Sequence, residues 1–259
     1  MSNSLKMKIS IVTISFNQKK YLRECIDSVL EQKGCEVEYI VVDPGSTDGS
    51  RALIESYGDR IVKVFESDNG PADGLHKGFS HATGDIYGFI NSDDYYLPGA
   101  LSKVKEFFDI SNTNCFMTGQ GYSEDAFGIR TPIVPSALTS REMLHRSAVV
   151  FQQSTFFPAS LYKKVGGINT LNHTCWDYEL FLNFLQHGAE HFIDKNELAV
   201  FRLYEDSISG SGRLKKRYFQ ELDEIFFGAL GRKRSYSDKI LTIYLRAKRQ
   251  ILKRFIPVS

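Results

Sequence analysis

The chain has 259 residues, of which 42% are hydrophobic and 24% are charged, and its formal net charge is +1. These values are typical of a soluble globular protein with one large domain, or one domain and a tail. The near-neutral balance argues against a polyanionic partner, and we expect no nucleic-acid binding. Polar residues interrupt the apolar N-terminus, and no apolar run approaches the ~18 residues that span a bilayer. We therefore expect a cytoplasmic protein.

Charge is distributed unevenly along the chain. Residues 210–259 hold 13 Lys or Arg and 4 Asp or Glu, a local charge of +9, whereas the preceding 209 residues carry −8. This asymmetry predicts a main domain over residues 1–209 and a basic helical extension over residues 210–259.

Strand and helix patterns alternate in the first part of the chain. Runs rich in β-branched and apolar residues predict strands at residues 8–14, 37–42, 61–65 and 86–91. Helical spacing of apolar residues predicts helices between them, at residues 21–30, 50–57 and 75–81. Asn17 is a predicted cap of the first helix. The alternation predicts an α/β fold with a mainly parallel central sheet flanked by helices.

The second half has a different pattern. Pro98 is expected in the first turn of a helix, and further helices are predicted at residues 159–165 and 175–187. Strand patterns at residues 115–121, 129–134 and 197–203 predict a small mixed or antiparallel extension of the sheet.

Polar residues follow each of the first four predicted strands. The strand ends include Ser15, Asp43, Asp68, Asp93 and Asp94. Open α/β sheets bind their ligands beyond the carboxyl ends of the strands, so these residues predict a binding site there.

Asp93 and Asp94 are adjacent carboxylates that repel each other unless a positive charge lies between them. A divalent cation that also binds a phosphorylated substrate would supply that charge. A turn is the alternative, because Asp is common in turns and Pro98-Gly99 follows. The first strand ends in SFNQKK, without the glycine patterns of dinucleotide-binding or P-loop proteins, which leaves a metal-bridged diphosphate.

The helix predicted at residues 175–187 begins with two carboxylates, Asp177 and Glu179. Residues two apart on a helix of 3.6 residues per turn point about 200° apart, so only one of them can face a substrate. Asp177, beside Trp176, is a candidate general base. From the residues alone the commoner role is favoured, in which a first-turn acid complements the helix dipole.

Other residues are weaker candidates. The histidines and cysteines lack metal-ligand spacing, although His173 lies close to the Asp177 helix. The polar run at residues 152–155 suits hydrogen bonds to sugar hydroxyls, or an outward-facing strand edge. Trp176 and Tyr178 could stack on a sugar ring, although aromatic residues at such positions usually belong to the core.

Several ordered segments together resemble family-2 glycosyltransferases of the GT-A fold, over residues 7–205. They read ISIVTISFNQKKYLRECIDSVLEQ, VVDPGSTDGS, ESDNGPADGLHKGFSHATGD, FINSDD, QQSTFFPASLYKKVGGIN and WDYELFLNFLQHG. The resemblance implies inverting transfer of a sugar from a nucleotide-diphosphate donor, usually UDP or a related nucleotide, with Mn²⁺ or Mg²⁺.

The resemblance also assigns roles to individual residues. It makes Asp94 the metal ligand and places Asp93 beside the ribose or a metal-bound water. Asp43 belongs to the turn that holds the base and ribose, with Ser15 and Asp68 nearby. Asp177 takes the position of the catalytic base.

Two positions depart from the family pattern. Pro44 stands where many members have a second Asp, and Ser92 stands at the first place of the metal motif. With Pro44, the nucleobase contact of the second Asp is missing or is supplied by another residue. With Ser92, the metal motif has no acidic residue at its first place.

The basic extension contains a predicted amphipathic helix. Apolar residues at positions 240, 241, 243, 244, 247, 251 and 255 share one side, and Lys and Arg largely fill the other. This pattern, over residues 213–256, predicts contact with an anionic membrane surface, and hence a peripheral location on the inner face of the cell membrane. The alternative is a helix packed on the domain with a solvated charged face.

Taken together, these features predict a metal-dependent glycosyltransferase that uses a UDP-sugar or a related donor. Its acceptor would be a glycan or a polyprenyl-linked compound in cell-surface polysaccharide synthesis. A sugar nucleotidyltransferase of related sheet architecture and a non-catalytic nucleotide- or glycan-binding domain remain alternatives.

Overall fold

The computed structural model of the protein describes residues 7–111, 114–205 and 212–255. Within these ranges the strands are Lys8–Ile14 (β1), Glu36–Val42 (β2), Val62–Val64 (β3), Ile86–Asn91 (β4), Tyr95–Tyr96 (β5), Cys115–Glu124 (β6), Arg130–Ile133 (β7), Thr155–Pro158 (β8) and Glu190–Arg202 (β9). The α-helices are Lys19–Leu30 (α1), Ser50–Glu55 (α2), Pro71–Ser80 (α3), Ala100–Ile110 (α4), Ser140–Leu144 (α5), Ala159–Lys164 (α6), Trp176–Gln186 (α7), Lys215–Leu230 (α8) and Tyr236–Phe255 (α9).

These strands form one sheet in the order β3-β2-β1-β4-β8-β6-β9-β5, with β7 paired to β6. β1 to β4 are mutually parallel, and Ile11 of β1 lies opposite Tyr39 of β2 and Gly88 of β4. β8 is antiparallel to both β4 and β6, and β6 runs parallel to β9. The predicted α/β fold, with a mainly parallel sheet and a smaller antiparallel extension, is confirmed.

Successive side chains along each strand point to opposite faces of the sheet, and they form one apolar cluster on each face. Ile9 and Ile11 of β1 pack with α1, α2 and α4, whereas Val12 packs with α3, α6 and α7. Helices cover both faces, so the C-terminal edge of the parallel strands remains the natural place for a ligand.

The strands predicted at residues 8–14 and 86–91 have the observed bounds. The prediction for Asn17 is wrong, because this residue does not cap α1. It adopts φ 53°, its Oδ1 accepts a hydrogen bond from the N–H of Thr47 (2.8 Å), and its own N–H donates to Ser46 Oγ (2.8 Å). Asn17 therefore joins the loops that follow β1 and β2.

Two predictions in the second half are also corrected. Pro98 lies before α4, which begins at Ala100 with Gly99 in the preceding cap position. β9 begins at Glu190, seven residues before its predicted start at 197, because it pairs with β6 along its length despite an irregular register around Gln120.

The helical extension packs on the rest of the chain. Phe226 of α8 is fully buried in the cluster that contains Phe181 and Phe184 of α7. α9 turns Leu245 inward, and Leu241 is half-buried whereas Ile240 is exposed, so these two residues do not share one side of the helix as predicted. The division of the chain at residue 210 stays a prediction.

Among the described residues, no helix has both the length and the apolar character that crossing a membrane requires.

Candidate active site

Ser15 and Asp43 lie next to each other at the C-terminal edge of the parallel strands. The N–H of Ser15 donates to the carbonyl of Val42 (2.9 Å), and the N–H of Asp43 donates to the carbonyl of Val64 (2.9 Å). The edge of the sheet therefore brings together the ends of β1, β2 and β3, as predicted from parallel pairing.

One oxygen on each of these two side chains is buried without a partner among the described residues. Asp43 Oδ1 accepts hydrogen bonds from the N–H groups of Gly45 (2.9 Å) and Ser46 (2.7 Å), whereas Asp43 Oδ2 accepts none. Ser15 Oγ is likewise buried and unbonded. Buried polar atoms are nearly always hydrogen-bonded in native proteins, so these two atoms mark a place for a polar ligand.

Arg51 of α2 adjoins Asp43 and was not predicted as part of the site. Its Nη2 donates to the Asp43 carbonyl (3.1 Å), and its guanidinium lies 4.4 Å from the centre of the Phe65 ring. A lone arginine in a short helix carries no sequence signal that distinguishes it from a surface residue.

Asp68 approaches the same edge from the end of β3. Its Oδ1 accepts a hydrogen bond from the N–H of Gly70 (2.9 Å). Asp68 Oδ2 lies close to Gly74, where a side chain would not fit, because a β-carbon at Gly74 would lie 2.7 Å from this oxygen. Burial raises the pKa of Asp68, and the nearby charges of Asp73 and Asp43 add to this effect.

The Asp94 carboxylate is fully buried and bonded on both oxygens. Oδ1 accepts from the backbone N–H of Arg202 (2.9 Å), and Oδ2 accepts from Gln153 Nε2 (2.9 Å) and Asn91 Nδ2 (3.4 Å). Burial, together with the adjacent charge of Asp93, raises the pKa of Asp94 well above its usual range.

Asp93 is the more accessible member of the pair. It is half-buried, and its Oδ2 accepts a hydrogen bond from the hydroxyl of Tyr204 (2.8 Å). Burial raises the pKa of Asp93, whereas Tyr204 and the charge of Arg202 oppose the rise. Within the described ranges, no three His, Cys, Asp or Glu side chains are grouped so that they could hold a metal ion.

Arg202 and Tyr204, from the end of β9, complete this region and were missed by sequence reasoning. Arg202 is buried, donates from Nη1 to the carbonyl of Asp93 (3.0 Å), and pairs with Glu24 (2.6 Å). Sequence separations above 100 residues hide these contacts from any local pattern.

The polar run at residues 152–155 is buried, which corrects its predicted role as an outward-facing strand edge, whereas hydrogen bonds from it to sugar hydroxyls stay a prediction. All four side chains are buried. Gln152 donates to the carbonyl of Phe89 (2.6 Å), Gln153 to Asp94, and Thr155 to the carbonyl of Phe151 (2.8 Å). The run therefore holds the end of β4 in place.

Asp177 and Glu179 have separate surroundings on α7. Asp177 is half-buried, its Oδ1 accepts from the N–H of Tyr178 (2.8 Å), and burial raises its pKa. Glu179 is bonded to the side-chain amides of Asn169 (3.0 Å) and Asn172 (2.8 Å). Of the two carboxylates, Asp177 is the one that accepts no hydrogen bond from another side chain among the described residues.

The aromatic neighbours of Asp177 pack largely into the protein. Trp176 and Tyr178 lie against the cluster between α7 and the sheet, and the hydroxyl of Tyr178 donates to the carbonyl of Met143. Of the two roles considered for Trp176 and Tyr178, their packing agrees with the one in which they belong to the core.

The segment before α7 contacts both the strand-end region and the C-terminal extension. A β-carbon at Gly70 would lie 3.6 Å from Nδ1 of His173, which places the Asp68–Gly70 loop beside the entrance to α7. From the other side, Glu221 of α8 accepts from the backbone N–H groups of His173 (3.0 Å) and Thr174 (2.9 Å).

Comparison with known proteins adds a family assignment. The sequence profile described as Glycosyl transferase family 2 matches residues 10–165. The putative teichuronic acid biosynthesis glycosyltransferase TuaG of Bacillus subtilis is 29% identical over 236 residues, which cover 86% of this chain and 91% of TuaG. An uncharacterized glycosyltransferase of Nostoc is 36% identical over 110 residues, or 41% of this chain, and the matched part spans only 34% of that protein.

Two solved structures share the fold. S. aureus TarS in complex with UDP-GlcNAc superposes with a TM-score of 0.70 at 17% identity, covering 93% of this chain and 71% of that one. The mannosyltransferase PcManGT of Pyrobaculum calidifontis, in complex with GDP-Man and Mn²⁺, gives a TM-score of 0.66 at 16% identity, covering 94% and 70%. Identities this low establish the likeness of fold alone.

Proposed function

Because the chain belongs to glycosyltransferase family 2, we propose that it transfers a sugar from a nucleotide-diphosphate donor to an acceptor hydroxyl. The observation that carries the proposal is the pair of buried, unbonded oxygens, Ser15 Oγ and Asp43 Oδ2, at adjacent strand ends. A buried polar atom without a partner costs about 1–3 kcal/mol, so a polar ligand that bonded to both would remove that cost.

A nucleoside fits this part of the site. Asp43 Oδ2 is an acceptor and suits the N–H of a base such as uracil, while Ser15 Oγ can both donate and accept. Pro44 offers neither a carboxylate nor an N–H, so the base contact falls to Asp43. Asp68 would contact the ribose or diphosphate from the neighbouring loop. The UDP-GlcNAc complex of TarS supports a UDP-sugar as the first donor to test.

We place Mn²⁺ or Mg²⁺ at Asp93 and Asp94. Carboxylate oxygens suit such hard cations, and these two adjacent carboxylates lie together at the end of β4, where burial is the main cause of the raised pKa of both groups. Asp93, being more accessible, would offer the first oxygen, and Asp94 would contribute lone pairs that its present hydrogen bonds leave unused. When bound, the cation would stabilise the negative charge of the departing nucleotide diphosphate. The Mn²⁺ complex of PcManGT supports Mn²⁺ as the first cation to test.

Asp177 is proposed as the catalytic base. It would take the proton of the acceptor hydroxyl as that oxygen bonds to the anomeric carbon and the sugar–phosphate bond breaks, leaving its electron pair on the nucleotide diphosphate. Attack opposite the leaving group inverts the anomeric centre with one carboxylate on the acceptor side. Burial raises the pKa of Asp177, which brings its basicity closer to that needed near neutral pH.

The acceptor is proposed to be a glycan or a polyprenyl-linked saccharide in cell-surface polysaccharide synthesis. The similarity to TuaG, a putative teichuronic acid biosynthesis glycosyltransferase that aligns over most of both chains, supports a role in polysaccharide synthesis.

The test is release of nucleotide from a panel of UDP-, GDP- and dTDP-sugars, with and without Mn²⁺, with water or added glycans as acceptors. We expect release from at least one donor and dependence on Mn²⁺. Asp177→Asn should lower the rate about 10²- to 10⁴-fold and leave UDP affinity unchanged, because it removes only the proton acceptor. Glu179→Gln, on the same helix, is the matched control and should retain most of the rate.

Two outcomes would overturn the proposal. Release of pyrophosphate from a nucleoside triphosphate and a sugar phosphate would identify a nucleotidyltransferase. UDP binding that ignores Mn²⁺, without turnover of any donor, would identify a binding domain. Full Mn²⁺-dependent activity in Asp94→Asn would remove that residue from the metal site.

A further inference from the structure

α9 exposes an apolar stripe on the side that faces away from the domain. Its inner side contains the buried Leu245 and Asp238, and Arg246 Nε donates to the carbonyl of Arg146 (3.1 Å). More than half of each large apolar side chain on the outer side is exposed, namely Ile240, Ile243, Tyr244 and Ile251. The positions recur at helical spacing, so they form one continuous stripe.

The apolar surface extends beyond α9 to the neighbouring helix. Phe219 and Phe227 of α8 are also exposed, and together with Ile243 they line a groove of about 940 Å³ between the two helices. Lys239 and Arg246 border the same groove, as do Glu224 and Asp223, the latter paired with Arg146 and Arg234. Contiguous exposed apolar surface of this kind is typical of a binding face.

Positive charge surrounds the stripe. Lys239 and Lys248 stand on opposite sides of it along α9, both exposed, and neither forms an ion pair within the described part of the chain. Three of the four acidic residues of the extension are already paired with arginines, in the pairs Arg217–Glu221, Arg232–Asp238 and Arg234–Asp223. By sequence, the other ten Lys and Arg of residues 210–259 are matched by one further acidic residue, Glu224.

We propose that this face of α8 and α9 docks on an anionic lipid bilayer. Apolar side chains would enter the interface between headgroups and acyl chains, and the flanking lysines would contact acidic headgroups. A second copy of the chain is a poorer occupant, because pairing the stripes would bring like charges together. Docking does not depend on the glycosyl transfer proposed above.

α8 connects the docking face to the segment that leads into α7. α8 carries Phe219 and Phe227 on the docking face, and Glu221 of the same helix holds the segment that leads into α7 and Asp177.

The experiment is co-sedimentation of the full chain with phosphatidylcholine vesicles, with and without phosphatidylglycerol, at low and high salt. We expect binding that requires phosphatidylglycerol and weakens with salt. Ile243→Glu should lower the partition coefficient about tenfold or more, and Lys239→Glu should lower it at low salt. Ile110→Glu is the matched control, because Ile110 is 89% exposed at the end of α4, and should bind like the unmodified protein.

Equal loss of binding in Ile243→Glu and Ile110→Glu would overturn the proposal, as would absence of binding to either vesicle. Binding that is indifferent to phosphatidylglycerol and salt would contradict the role of the lysines. Concentration-dependent dimers that Ile243→Glu dissociates, without vesicle binding, would assign the face to a second copy instead.

Discussion

Glu221 of α8 accepts a hydrogen bond from the backbone N–H of Thr174 at 2.9 Å, across 47 positions of sequence. The same carboxylate accepts from the N–H of His173 and the hydroxyl of Thr174. α7 has no side-chain cap of its own at Cys175. The C-terminal extension therefore fixes the entrance to the helix that carries Asp177.

Replacing Glu221 should loosen this entrance. Glu221→Gln keeps the size of the side chain but offers one acceptor oxygen to several donors, and should lower the free energy of unfolding by about 1–2 kcal/mol. Amide hydrogen exchange should accelerate at residues 173–178, and nucleotide release should fall several-fold without a change in UDP affinity. Glu224→Gln, exposed on the same helix, is the control. Unchanged exchange at residues 173–178 would show that Glu221 does not hold the segment.

Local sequence pattern predicted the parallel half of the fold well. β1 and β4 are short apolar runs bounded by polar residues, and Ser15, Asp43 and Asp68 were expected at one edge because parallel strands end together. The pattern could not show that Asn17 would bind the loop after β2 instead of capping a helix.

The contacts that residues of the second half make with Asp93 and Asp94 could not be predicted from local sequence pattern. Arg202 reaches the Asp93 carbonyl across 109 positions of sequence, and Gln153 reaches Asp94 across 59. Such pairs depend on the position of β9 and β8 in the sheet. No periodicity in one segment encodes that position.

Close packing of α3 on the sheet makes Gly78 sensitive to substitution. A β-carbon at Gly78 would lie 2.4 Å from Val12 Cγ1 and 3.0 Å from Val42 Cγ2. Gly78→Ala should therefore lower the free energy of unfolding by about 1–3 kcal/mol, measured by urea denaturation. Gly228→Ala in α8 is the control, since nothing lies within 4 Å of its β-carbon, and it should be neutral or slightly stabilising. Equal effects of the two changes would argue against tight packing at Gly78.

The extension should prove integral to the stability of the domain. Phe226 is fully buried, so Phe226→Ala should cost about 3–5 kcal/mol of unfolding free energy. The adjacent Phe227 is 52% exposed, and Phe227→Ala should change the same quantity by much less. Thermal denaturation of both variants tests this difference. Similar melting temperatures would mean that α8 contributes little to the core.

Acid should destabilise the protein partly through Glu38. Burial raises the pKa of Glu38, but hydrogen bonds from Ser10, Thr83 and Lys8 outweigh burial and lower this pKa to about 2. The pKa of Glu38 in the unfolded chain is about 4.3. Glu38 therefore contributes fully to the free energy of unfolding above that pH, and this contribution is lost as the pH falls towards 2.

Glu38→Gln should therefore flatten the pH dependence of stability between about pH 4 and pH 2, by about 1 kcal/mol after allowance for solvent screening. Urea denaturation across this range measures the effect. Glu31→Gln, at an exposed position after α1, should leave the profile unchanged. Parallel profiles for Glu38→Gln and the unmodified protein would contradict the assignment.

Two of the three hydrogen bonds of the buried Asp94 carboxylate tie the end of β4 to the segment before β8 and to the end of β9. These hydrogen bonds join the parallel strands β1 to β4 to the strands of the second half of the chain, at the point where we expect the diphosphate to bind. Heating should melt both halves in one cooperative transition. If the proposed cation binds at this point, its removal should lower the melting temperature of the entire sheet.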